Sequence, residues 1–277
     1  MTHYGMAVPA AILLVSLSIP SAGQTTDDSA AVSSNVAAPV QTPAQGAPAA
    51  AGQNKVSPDE MADIFMARKE YHDAAILFKK LVDDNPKNAV YWNKLGIALH
   101  QQMELTAALK SYQQAAKVDP KYADAVNNIG TIYYQRKKFA KAIRSYQRAI
   151  KLRSDMAPLY SNLGYAYFGD KKYEESIGAF RQALALDPSC FDHNSSRGGS
   201  LLQDRSVSDR GRFYFLLAKS FAQAGNFDRS LVYLRKAKEE GYRSMNDVKT
   251  DPAFSAMLKL PETQEILLPK GTDSTLP

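Results

Sequence analysis

The 277-residue chain has a single cysteine, Cys190, so no internal disulfide can form and no thiolate-rich metal site can be assembled. Histidine is nearly as scarce. His3, His72, His100 and His193 are scattered and never at ligand spacing, which leaves zinc sites and His-based acid/base chemistry without candidates. No phosphate loop and no Ser/His/Asp set is legible either. These absences predict a protein that is not an enzyme and takes no cofactor or metal. Long apolar runs are missing too: the longest, residues 7–19, is too short to span a bilayer. Stability has to come from packing, for which 45% hydrophobic and 10% aromatic content suffice. The net charge of +6 is mildly basic and speaks to solubility and weak anion attraction.

Residues 7–19 have the length of the hydrophobic region of a secretory signal, and Ser21 and Gly23 meet the small-x-small requirement for cleavage. A signal peptide is therefore expected over residues 1–23, cut after Gly23, with Ala22 as second choice. The preceding segment departs from the usual pattern because it has no Lys or Arg; the alternative is a buried N-terminal helix. The mature chain is expected to be soluble and periplasmic or secreted, without a transmembrane segment. Residues 24–54 are Ala, Pro, Gln, Ser, Thr and Gly with two acids and no aromatic, a composition that predicts a flexible linker.

A period of 34 residues organises the chain from residue 55 onward. Pro86, Pro120 and Pro188 fall at multiples of it, with Ser154 in the vacant slot, and so do the small residues Ala62, Gly96, Gly130 and Gly164. Beside these run Met61, Leu95, Ile129 and Leu163. The second half of each unit repeats Ala74, Ala108, Ala142 and Ser176, then Phe78, Tyr112, Tyr146 and Phe180, then Leu81, Ala115, Ala149 and Ala183. The pattern predicts pairs of amphipathic helices, with small residues where the helices cross and aromatics between them. One such hairpin cannot bury its own apolar face, so neighbouring units must stack.

The second unit, with Trp92, Leu95, Gly96, Leu99, Ala108, Tyr112, Ala115 and Pro120, resembles the tetratricopeptide repeat (TPR) family most fully. The resemblance implies an all-α, right-handed α-solenoid. Four regular units are expected at residues 55–88, 89–122, 123–156 and 157–190, followed by a loop insertion at 191–210. A degenerate fifth hairpin at 211–244 carries Tyr214, Leu217, Ala218, Phe221, Ser230, Leu234 and Ala237, with Gly225 and Asn226 at its turn. A C-terminal capping helix is expected within 245–268, opened by Asp251 and Pro252, and a flexible tail at 269–277.

At about 100° per residue, positions 2, 5, 9, 12 and 13 of each first helix share one stripe opposite the core. In the family that stripe lines a concave groove. Here it holds Asn93, Ile97, His100 and Gln101, then Asp124, Asn127, Thr131, Tyr134 and Gln135, then Ser161, Tyr165 and Phe168. Asn128 and Asn162 stand one place along, where groove asparagines of related proteins bond the main chain of an extended peptide. An amide offers both donor and acceptor to such a partner, although Asn and Tyr in these places equally serve packing or capping. The resemblance argues against the carboxylate clamp of chaperone-binding relatives, because Asp59, Asp63, Asp124 and Asn128 stand at positions the clamp needs for other residues, its cations among them.

Residues 123–156 contain eight Lys and Arg against Asp124 and Asp155, and Lys141, Arg144, Arg148 and Lys151 make one stripe on the second helix, turned away from Ala142, Tyr146 and Ala149. It is either a solvated outer face or a patch for an anionic surface, in membrane or cell-wall assembly. Nucleic acid is not expected, since no aromatics interleave with the charges. The leading expectation is a non-enzymatic scaffold that binds a protein or peptide. Cys190 is expected to be packed, with pairing to another chain as the alternative.

Overall fold

The computed structural model describes residues 56–191 and 207–268. The expected signal peptide, linker and tail lie outside the described residues. Five helical hairpins follow one another: α1 (Pro58–Ala67) with α2 (Tyr71–Asp84), α3 (Ala89–Gln101) with α4 (Leu105–Val118), α5 (Ala123–Gln135) with α6 (Phe139–Leu152), α7 (Ala157–Gly169) with α8 (Tyr173–Leu186), and α9 (Val207–Gln223) with α10 (Phe227–Glu239). Each of α2, α4, α6 and α8 packs on both its own first helix and the first helix of the next hairpin, which makes the array a solenoid. No strand occurs among the described residues.

The crossing inside each hairpin follows from one small residue. A Cβ on Gly96 would sit 2.6 Å from the Tyr112 ring, one on Gly130 2.7 Å from Tyr146, and one on Gly164 2.4 Å from Phe180. The absent side chain lets the facing ring lie against the backbone, and all three rings are buried. In the outer hairpins Ala62 and Ala218 take that place and are themselves fully buried. Ser176 and Ser230, where three hairpins have alanine, bury their hydroxyls by donating to the carbonyls of Gly164 (2.9 Å) and Ala218 (2.8 Å).

The turn inside each hairpin is the same motif five times. Lys69, Met103, Lys137, Lys171 and Gly225 all have φ between 56° and 76°, and the next residue's N–H reaches back to the helix, as in Glu70 N to Phe65 O (2.9 Å) and Lys138 N to Tyr133 O (2.8 Å). This left-handed closure satisfies the last carbonyls of the first helix. Only the fifth hairpin uses glycine for it. Between hairpins, Pro86, Pro120 and Pro188 follow the C-cap residues Asn85, Asp119 and Asp187, and the Asp119 and Asp187 carboxylates accept from Lys121 N and Ser189 N at 2.9 Å.

Two boundaries differ from expectation. The interruption was expected to run to Arg210, but α9 begins at Val207, so residues 207–210 form an additional first turn. At its other edge Phe191, expected in the insertion, is buried in the turn after α8 beside Cys190, which is packed as expected. Phe191 lies edge-on to Phe180 and Phe221, and its carbonyl accepts from the Tyr233 hydroxyl at 3.2 Å. The aromatic contacts carry the array across the interruption.

The second correction concerns the cap. One helix was expected, and three short pieces are found: α11 (Asp247–Thr250), a 3-10 helix (Pro252–Met257) and α12 (Pro261–Leu267). The prolines at 252 and 261 each start a new piece, because neither can continue a preceding helix. Phe254 and Met257 are fully buried in the cluster that holds Phe215, against which the partly buried Tyr242 packs, and the 3-10 helix lies on α9. Lys219 of α9 reaches Asp251 at 2.9 Å, while the Asp251 carboxylate also accepts from Ala253 N at 3.0 Å.

Candidate interaction surfaces

The first helices α3, α5 and α7 lie side by side, and their amide side chains form one directional chain of hydrogen bonds. Asn162 donates to Asn127 Oδ1 (3.0 Å), Asn127 to Asn128 Oδ1 (3.4 Å), Asn128 to Asn93 Oδ1 (3.0 Å), and Asn93 to the Tyr122 hydroxyl (3.3 Å). Successive helices are bridged by residues 35 apart, because position 5 of one unit faces position 6 of the next. His100 and Gln135 repeat that spacing at 2.8 Å, two turns further along. Burial lowers the pKa of His100 below 6.5, against the opposing pull of the Gln135 bond. Tyr122 is pushed up to about 12, chiefly by burial and then by Asp124, so its hydroxyl stays neutral.

The expected groove set divides into two groups. Asn93 and Asn127 are 4% and 3% exposed, and Tyr165 and Phe168 are 6% and 3% exposed. The two amides are covered by their bridges to the next helix. Both rings are covered by Phe213 of α9, which stacks on Tyr165 at 5.4 Å and meets Phe168 edge-on at 5.3 Å. These four residues hold units together and do not face a partner, so the inner stripe is narrower than expected. Asn128, Thr131, Tyr134 and Asn162 remain partly open on one face. Thr131 donates to Asn127 O and accepts from the Tyr146 hydroxyl, both at 3.3 Å, and Tyr134 meets Phe139 edge-on. Asn162 Oδ1 accepts no hydrogen bond among the described residues.

Sequence periodicity located the stripe but not the bridges. A residue at position 5 counts as solvent-facing within its own helix and becomes buried only when the next first helix arrives. The sole signal was the recurrence of asparagine at 93, 127, 128 and 162, at spacings of 34 and 35. Asp63, at a position where the clamp would need another residue, is instead paired with Lys94 at 2.5 Å.

On the opposite side of the repeats, Lys141, Arg144, Arg148 and Lys151 are all exposed along α6, while Ala142, Tyr146 and Ala149 are buried. Arg148 donates weakly to Pro120 O (3.4 Å) and Lys141 lies 5.6 Å from the Tyr133 ring. Arg153, beyond the stripe, is the cation of this unit that approaches carboxylates, at 3.9 Å from Asp124 and 3.7 Å from Asp155. Among the described residues no group of His, Cys, Asp and Glu could hold a metal ion, and no helix is long and apolar enough to cross a membrane.

Family profiles described as TPR repeat match residues 104–136 and 130–171, and tetratricopeptide repeat profiles match residues 157–190 and 60–116. None of the curated proteins is matched. Among solved structures, a crystal structure of MamA aligns with a TM-score of 0.47 and 21% identity, over 68% of this chain and 97% of that one. A second MamA crystal structure gives 0.48 and 21% over 70% and 92%. The MamA segment from residue 41 to the end, from Desulfovibrio magneticus RS-1, gives 0.48 and 16% over 70% and 96%. The profile matches run end to end across α1 to α8, the hairpins whose crossings and turns repeat every 34 residues, and the chain belongs to the tetratricopeptide repeat family.

Proposed function

We propose that this protein is an exported, non-enzymatic interaction scaffold that binds an extended segment of a partner protein along the inner stripe of α3, α5 and α7. The observation that carries the reading is the amide chain from Asn162 to Tyr122. Its buried members fix the spacing of the helices, and its two half-open members, Asn128 and Asn162, keep unused hydrogen-bonding capacity at that fixed spacing. A preorganised row of amides suits a peptide backbone, which alternates donors and acceptors and would otherwise lose hydrogen bonds to water on binding. Export rests on the apolar stretch at residues 7–19 and the small residues at 21 and 23; mass spectrometry of the mature protein should find its N-terminus at Gln24.

The test of the groove is a crosslinking pulldown of the mature protein from its native compartment beside the Asn128→Ala/Asn162→Ala variant. A specific partner should be retained at physiological salt and lost from the variant. An unchanged partner list would overturn the groove assignment. A second reading, an accessory factor docking on an anionic surface in membrane or cell-wall assembly, is favoured by the exposure of all four cations on α6. Salt separates the two, because such a partner dissociates between low and physiological ionic strength.

A further inference from the structure

The cationic stripe of α6 does not stand alone. The second helix of the preceding hairpin, α4, contains no acidic residue, and neither does α6, whereas α2, α8 and α10 each contain two or more. On α4, Lys110 and Lys117 are exposed, seven residues apart. One repeat further on, their equivalents are Arg144 and Lys151, also exposed and seven apart. The two helices run alongside each other in the same direction. Arg136, just before α6, donates to Thr106 at the start of α4 (2.8 Å), and Arg148, in the second half of α6, reaches Pro120 just past the end of α4 (3.4 Å). Among the described residues none of Lys110, Lys117, Lys141, Arg144, Arg148 and Lys151 forms a salt bridge.

We infer that the outer face of α4 and α6 is a second docking surface, for an acidic helical segment of a partner protein. Cations recurring every seven residues on two parallel helices match the repeat at which a third helix laid between them would present carboxylates, near 3.6 residues per turn over two turns. The exposed residues between the cations, Gln113 and Gln147, add hydrogen-bonding amides and no large apolar wedge of the kind that enters a bilayer. Both features favour a patterned protein partner over lipid. This surface is separate from the inner stripe and does not depend on it.

The experiment is fluorescence anisotropy on the full chain with three probes. They are a labelled helical peptide carrying glutamates at heptad-repeating positions, a peptide of the same composition with those positions scrambled, and vesicles containing an anionic phospholipid. The patterned peptide should bind about tenfold more tightly than the scrambled one. Lys110→Gln/Lys117→Gln and Arg144→Gln/Lys151→Gln should each weaken it about tenfold, while Asn128→Ala/Asn162→Ala leaves it unchanged. All four cationic side chains are exposed, and far-UV circular dichroism of both variants should match the parent. Equal binding of the scrambled peptide, stronger binding of the vesicles than of the patterned peptide, or indifference to either cationic variant would overturn the inference.

Discussion

Glycine at a helix crossing is where one atom decides most. At Gly130 a methyl group would come within 2.7 Å of the Tyr146 ring, which is buried and cannot swing away. Overpacking of this kind costs about 1–3 kcal/mol, and alanine's better helix propensity recovers up to about 1. Gly130→Ala should therefore cost about 1–2 kcal/mol of unfolding free energy, read as a lower midpoint in chemical unfolding. The comparison is Ala62→Gly, where the methyl is already accommodated and fully buried beside Phe78: helix propensity, about 1 kcal/mol, and the burial of one methyl, about 0.8 kcal/mol, are both lost. His100 offers a second test at this scale. Its folded pKa lies below 6.5 because burial penalises the charged ring, so the unfolded chain binds the proton more tightly. Stability is complete above about pH 6.5 and falls as the pH drops from there toward the folded pKa. His100→Gln, which keeps a hydrogen-bonding side chain toward Gln135, should show a shallower loss of stability than the parent between neutral and acidic pH.

Among the elements, the cap depends most on few contacts. Asp251 opens the 3-10 helix and holds Lys219, whose pKa is raised overall: burial, the largest influence, lowers it, but the bonds and charges of Asp251 and then Glu174 together outweigh that. Both side chains of the pair are less than one-fifth exposed. Asp251→Ala removes the helix-opening bond and leaves Lys219 with Glu174 at 3.4 Å as its remaining carboxylate. The expected cost is about 2–3 kcal/mol, read as earlier proteolysis of the segment after Gly241 with α1 to α8 intact. The turns inside the hairpins have a different origin. Glycine marks the fifth, and the sequence signals for turns pick it out, but Lys69, Met103, Lys137 and Lys171 adopt the same left-handed conformation without being turn formers. Packing of the two helices forces those turns, at a strain of roughly 1 kcal/mol each, so local propensity could not have marked them.

For the whole molecule, stability is the sum of hairpins and the interfaces between them, so the weakest interface sets where the array parts. The junction between α8 and α9 is interrupted by residues outside the described set and is carried by Phe213, packed on Tyr165, Phe168 and Phe180. Phe213→Ala should cost about 3–5 kcal/mol. It should also split unfolding into two transitions, seen as non-coincident curves from far-UV circular dichroism and from fluorescence of Trp92 in the second hairpin. A single coincident transition would mean that the fifth hairpin is coupled by other contacts.

The 34-residue recurrence was enough to determine the class of fold, the helix pairs and the small-against-aromatic crossing, because each depends on side chains within one hairpin and on a period the chain repeats. The exposed stripe on α6 was legible for the same reason: a helix shows its own polar face. The tertiary structure alone decided which inner positions are open. Asn93, Asn127, Tyr165 and Phe168 face solvent in an isolated helix and are buried by a neighbour one repeat away, and no periodicity within a helix records what the next helix will cover. The same applies to Lys110 and Lys117, unremarkable on α4 until α6 is laid beside it with its cations in register.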